Sequence, residues 1–332
     1  MEKTHHPEGG TAGAAPRRRS RRKAGVAVAA AVVVVLGGTF TYFNTNVLDS
    51  DRICHGWTTP DEAAAALGGG IGRVSASEDS DATCTVRVSS WLPGQDKRLS
   101  LRAVGEETEF PFSRGDWQIS GDRHVLSGGT QGAFDAYGGW TLLPTACRNA
   151  ADGSGTQPVL RAAVTGRDTA GDADAMGRLL TSATPALSAA SYCGEPADAD
   201  TTTDAPSAAE PSDLDRVCGI SGFRLPRAQG PKGQQVTAEV TGSLPKGLYC
   251  DLTFEGDKEG PFARLAVVSD PALVASFKGR DVTRAECDGR ETVFAQDLRY
   301  FDDSERAVTH VPAAPEFSEV FGDAARAALQ CG

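Results

Sequence analysis

Eight cysteines constrain this 332-residue chain more than any other feature, because Cys54, Cys84, Cys147, Cys193, Cys218, Cys250, Cys287 and Cys331 form two sets of four with matching surroundings. First-to-second spacings are 30 and 32 residues, third-to-fourth spacings 46 and 44, and only the middle spacing differs, 63 against 37. The flanking residues recur in the same order. CTVRVSS (84–90), LSLRAVG (99–105), CRN (147–149), VLRAAVTG (159–166) and SYCG (191–194) answer to CDLTFEG (250–256), ARLAVVS (263–269), CDG (287–289), VFAQDLRY (293–300) and LQCG (329–332). A chain this long holds two ordinary domains, and these read as two copies of one unit. The first copy carries an insertion at about 106–143.

None of the cysteines forms a C-x-x-C pair, so neither a zinc site nor a thioredoxin-type motif has its close sulfurs. An even count without such pairs points to four disulfides in an oxidising compartment. Bonds kept within each copy leave nine pairings. The repeated spacings favour equivalent bonds: Cys54–Cys84, Cys147–Cys193, Cys218–Cys250 and Cys287–Cys331.

Residues 24–43 (AGVAVAAAVVVVLGGTFTYF) carry no charge and directly follow RRRSRRK at 17–23. Twenty helical residues span about 30 Å, the thickness of a hydrocarbon core. The basic cluster sets the orientation: a cytoplasmic, disordered tail at 1–23, a single-pass transmembrane helix at 24–43, a linker at 44–52, and everything beyond outside the cell membrane. A cleaved signal peptide would need a small-x-small site, and TYFNTNVLDSDR has none. Cys54 lacks the preceding small residues of a lipid-modified cysteine, and SRRK lacks the apolar pair of a twin-arginine signal. Residues 44–332 keep 26 of the Lys and Arg and 42 of the Asp and Glu, a net charge near −16. That balance repels nucleic acid and anionic lipid alike.

With thirty-eight glycines and eighteen prolines, short strands and many turns are favoured over long helices. Segments around Cys84, Leu99–Val104, Val159–Val164, Val236–Val240, Cys250–Phe254, Ala263–Val268 and Val293–Leu298 alternate apolar and polar residues, as half-buried antiparallel strands do. A helix starting at Thr59 has a capping box with Glu62, Pro60 at its first position, and Gly68 to end it. Phe317, Val320, Phe321, Ala324, Ala328 and Cys331 make one apolar stripe, matched by Leu179, Ala183, Ala186, Ala190 and Cys193. Pro185 should kink the earlier helix or delay its start, and the glycine after each closing cysteine should cap its helix. The fold class is therefore α+β: two repeated disulfide-stapled domains, 53–194 and 216–332, each a small antiparallel sheet under a C-terminal helix. Between them, 195–215 (EPADADTTTDAPSAAEPSDLD) reads as an acidic, disordered linker.

Chemistry is sparse. His55, His124 and His310 stand far apart, and no HExxH, GxSxG or SxxK signature is present. Nothing asks for a metal or cofactor. Gly68–Gly72 lacks the following helix of a phosphate loop, and Arg114-Gly115-Asp116 is expected by chance. Aromatics concentrate in the insertion, where Trp117, Tyr137 and Trp140 on glycine-rich loops suit a binding surface; the competing reading, which outweighs it, is that they fill extra core. Patterns such as ACRNA…VLRAAVTG…SYCG, with the single anchor, resemble membrane-anchored extracytoplasmic proteins of actinobacterial, streptomycete type, a group without an assigned function, and that resemblance implies no catalytic residue. The expected role is a non-catalytic module binding an envelope protein or cell-wall component by two-point attachment. The alternatives are a cell-envelope hydrolase using carboxylates such as Asp116 and Asp135, or a sensor acting through a membrane partner.

Overall fold

The computed structural model describes residues 51–332 apart from 70–71, 90–96, 108, 114–115, 154, 167–169, 195–199 and 277–281. The expected membrane span, its tail and most of the 44–52 linker lie outside those residues. Among the described residues no helix is long and apolar enough to cross a membrane.

The first unit opens with helix α1 (Pro60–Ala66), where Thr59 and Glu62 form both halves of the capping box. Its chain ends through Gly68, whose φ of +91° only glycine adopts without strain. Strands β1 (Arg73–Ser80), β2 (Thr83–Ser89) and β3 (Arg98–Glu106) follow as a meander. A small ribbon of β4 (Phe112–Ser113) and β5 (Asp116–Trp117) precedes β6 (His124–Gly128), β7 (Gly132–Phe134) and β8 (Gly138–Leu142). Strand β9 (Gln157–Thr165) and helix α2 (Ala173–Ala190) close the unit. The connecting chain supplies β10 (Thr201–Asp204) and β11 (Glu210–Pro211). The second unit comprises β12 (Val236–Ser243), β13 (Gly247–Phe254), β14 (Ala263–Val268), α3 (Pro271–Ser276), β15 (Val282–Cys287), β16 (Arg290–Leu298), α4 (Asp303–Thr309) and α5 (Ala314–Ala328).

The sheets run β1-β2-β3-β9-β8-β7-β6-β10 and β11-β12-β13-β14-β16-β15, antiparallel throughout. Stripping the extra strands leaves β1-β2-β3-β9-β8 against β12-β13-β14-β16-β15, the same order in both. Registers agree as well. Cys84 lies opposite Leu101, which lies opposite Ala162; Cys250 lies opposite Leu265, which lies opposite Gln296. All four disulfides join the cysteines the spacings favour, with no free cysteine. Because β8 is the counterpart of β15, the insertion is shorter than 106–143 and comprises only the chain through β4–β7.

Both long helices bury one face, at Phe317, Phe321, Ala324 and Ala325 in α5 and at Leu179, Ala183 and Leu187 in α2. Ala186 is only half-buried and Ala190 is exposed, so the first stripe drifts off the expected positions onto Leu187, and in α5 the expected Ala328 is exposed while Ala325 is buried. Helix α2 also runs through Pro185 without a late start. The closing glycines are not the caps: the left-handed residues are Tyr192 and Gln330, each one before the cysteine. The N–H groups of Cys193 and Cys331 then reach back to the carbonyls of Ser188 and Arg326, each at 3.0 Å.

Several strands are not half-buried. β14 is covered along almost its whole length, as is β13, since each sheet has a helix on one face and the other sheet on the opposite face. Trp140, Val159, Val125 and Ala133 of the first unit share a core with Tyr249, Ala266, Val268, Val293 and Ala295 of the second. The architecture is a four-layer helix–sheet–sheet–helix sandwich with a common centre. This overturns the disordered 195–215 linker from residue 200 onward. Thr201–Asp204 pairs with β6 and Glu210–Pro211 with β12, so the segment adds a strand to each sheet instead of tethering two free domains. Its polar side chains mislead because edge strands face water and are held through backbone bonds.

Candidate functional site

A cleft of about 690 Å³ opens where the two units meet. Its floor is the β6–β7 turn (Gly128–Gln131) and the chain leaving β8; one wall is the Thr181–Ser188 face of α2, and the other is α3 with Ala272, Ala275 and Ser276. The start of β10, with Asp200 and Thr201, closes one end. Glycine makes that closure possible: a Cβ at Gly128 would sit 2.3 Å from the Asp200 carbonyl, so no other residue lets β10 approach the turn.

The α2 wall is a row of hydroxyls bonded to their own helix. Thr181 donates to the Gly177 carbonyl at 2.9 Å, Thr184 to Leu180 at 2.7 Å and Ser188 to Thr184 at 3.0 Å. Opposite, Ser276 donates to Leu273 at 2.8 Å. Such back-bonding explains how hydroxyl residues sit within a helix whose other face is core. Pro185, in the same wall, has no N–H to offer the carbonyl of Thr181 four residues earlier. Among the described residues that line the cleft, Asp200 is the one carboxylate, and there is no lysine, arginine or histidine.

A second polar locus is buried beneath the junction. Asp251 on β13, 2% exposed, accepts the Gly121 N–H at 3.1 Å, and Arg264 Nε stands 3.9 Å from its other oxygen. The Thr241 hydroxyl lies 2.9 Å from the carbonyls of both Gly121 and Arg123, so the turn before β6 is clamped onto β12 and β13. Burial, chiefly, pushes the Asp251 carboxyl up to about 7, with Asp122 and Glu239 acting the same way against the Gly121 N–H and Arg264. Glu239 is likewise raised by burial and by Asp122. This locus is closed, and it fastens the two units together.

The residues proposed for binding are dispersed. Trp140 is 1% exposed, donates its indole N–H to the Gln118 carbonyl at 2.6 Å and meets Phe110 edge-on with ring centres 4.6 Å apart. Trp117 is 9% exposed and packs on Phe112. Both belong to the core between the sheets, as the competing reading held, because a second apolar sheet lies over the insertion and covers them. Tyr137 is exposed, alone, at the β7–β8 turn. Of the carboxylates proposed for an enzyme, the Asp116 side chain lies outside what the structure describes, and Asp135 does not line the cleft. Asp135 accepts the N–H groups of Tyr137 and Gly138 and pairs with Arg123 at 3.2 Å, which are the contacts of a turn. His124 stacks on Phe134 and His55 pairs with Glu78. Among the described residues no group of three or more His, Cys, Asp or Glu is placed to hold a metal ion. The cleft's own residues escaped sequence reading because they come from six separated segments and their polar members are mostly ordinary Thr, Ser and Gln; the TSATPALS run is the single local signal.

No family model and no curated protein matches the chain. A solved structure described as DynU16, from the dynemicin biosynthetic locus, aligns at 12% identity over 81% of this chain and 87% of that one, with a TM-score of 0.14. A score of that size does not establish a shared fold.

Proposed function

We propose that the protein is an extracytoplasmic binding module, anchored by the apolar run at 24–43 with its basic N-terminus in the cytoplasm, that holds a small polar ligand or the end of an envelope component in the inter-unit cleft. The observation that carries this reading is the cleft itself: its volume lies within the range of small-molecule sites, and both units contribute walls, as binding sites at domain junctions commonly do. The four bonded disulfides support an oxidising compartment beyond the membrane. Two-point attachment by separate domains gives way to a single body, because the units share a core.

Ala275 points a test at the cleft without disturbing the core, since it is exposed on α3 and lines the opening. The full-length chain and its Ala275→Trp variant should be screened against cell-envelope fragments, including saccharides and short peptides. A ligand bound by the first and lost by the second supports the reading. Equal binding by both would place recognition elsewhere on the molecule.

A further inference from the structure

The hydrogen-bond bookkeeping inside the cleft selects a ligand class. A hydroxyl has one proton to give and two lone pairs to receive with. Thr181, Thr184, Ser188 and Ser276 each spend that proton on a backbone carbonyl. Thr184 also meets the Thr141 hydroxyl at 2.6 Å, and with its own proton on Leu180 it is the acceptor there. Gln131 gives one Nε2 proton to the Gly128 carbonyl and keeps Oε1 as a further acceptor. What the four hydroxyls offer a guest is therefore lone pairs, and Asp200 adds a negative charge at the rim.

We infer that the cleft takes a donor-rich organic cation, a primary ammonium on a hydroxyl-bearing frame, in preference to a neutral or anionic molecule of the same shape. An anionic guest would face Asp200 with no cationic side chain among the described lining residues to receive it, inside a segment with a net charge near −16. A guest of acceptors alone would leave buried lone pairs on both sides unmatched. An ammonium with neighbouring hydroxyls supplies donors to the committed hydroxyls of α2 and α3, and its charge-assisted bonds are the stronger kind.

This inference rests on the cleft being the binding site, and its test separates the two. Glucosamine, glucose and glucuronate share one ring and differ in charge, so their binding to the full-length chain should be measured by titration calorimetry at low and moderate salt. Glucosamine is expected to bind about fivefold more tightly than glucose, the scale of one exposed ion pair, with that margin shrinking as salt is added and glucuronate weakest. Asp200→Asn should bring glucosamine to the level of glucose, while Ala275→Trp should abolish binding of all three. Tighter binding of glucuronate or glucose that Ala275→Trp still abolishes overturns the charge assignment and leaves the cleft as the site. Binding that Ala275→Trp does not weaken overturns the cleft reading as well, and so does failure of all three sugars to bind when another envelope fragment binds both proteins equally.

Discussion

Replacing Asp251 with asparagine should raise the stability of the protein at pH 8 and leave it nearly unchanged at pH 4. Burial carries the carboxyl from an ordinary 3.8 up to about 7 on folding. At about 1.4 kcal/mol per unit this corresponds to about 4 kcal/mol. The sign follows from which state holds the proton more tightly. With the folded value raised, the folded protein binds the proton better, so the contribution of Asp251 is most favourable below about pH 4 and is lost as the pH climbs to about 7. Asparagine is the neutral form made permanent, and it keeps an oxygen for the Gly121 N–H, 3.1 Å away. The contact it forgoes is the 3.9 Å approach of Arg264, long for an ion pair. Urea unfolding of both proteins, disulfides intact, at pH 4 and pH 8 isolates the effect, because groups that Asp251 does not touch titrate alike in both. A stability difference that does not widen between the two pH values, or an asparagine variant weaker at pH 8, would refute the reasoning.

Trp140→Ala should cost about 3–5 kcal/mol, the usual range for emptying a buried aromatic site, measured by the same unfolding experiment. Tyr137→Ala, at 59% exposure, should stay within about 0.5 kcal/mol of the parent. Gly121→Ala would place a methyl 2.1 Å from the Glu239 carbonyl and 2.7 Å from the Asp251 N–H; a loss of about 1–3 kcal/mol and faster amide exchange along β12 and β13 are expected. Removing Cys287 and Cys331 together opens a 44-residue loop and should cost about 4 kcal/mol, read as a lower urea midpoint.

What was legible in advance is what neighbours in sequence determine. The capping box at Thr59 and Glu62 is a four-residue affair, and the α5 stripe as far as Ala324 follows from helical geometry alone. The disulfide pairing was legible for a different reason: two copies offered two measurements of one spacing. The meeting of the sheets was harder. Its trace lies in PFARLAVV (261–268) and TVFA (292–295), which are too continuously apolar for strands with one wet face. Thr201–Asp204 gave no trace, because an edge strand bonded through its backbone to Val125–Gly128 needs no apolar residue. The cleft was illegible since it belongs to no segment; Ser188 and Ser276 become neighbours of one opening only after the sandwich has closed.

The shared core between two like units in one polypeptide has an effect on how the molecule can vary. Were the halves separate copies of one chain meeting across a twofold axis, every substitution would be imposed on both sides of the contact at once. Fused, each half drifts alone. Between the corresponding strands β3 and β8, and β14 and β15, one half carries the β4–β7 excursion and the other the short helix α3. The first supplies part of the floor of the recess and the second one of its walls. Two identical subunits would carry any such recess twice or, on the axis, line it with the same residues from both sides. Here the floor and the α3 wall come from unlike pieces, free to specialise for different parts of one asymmetric guest.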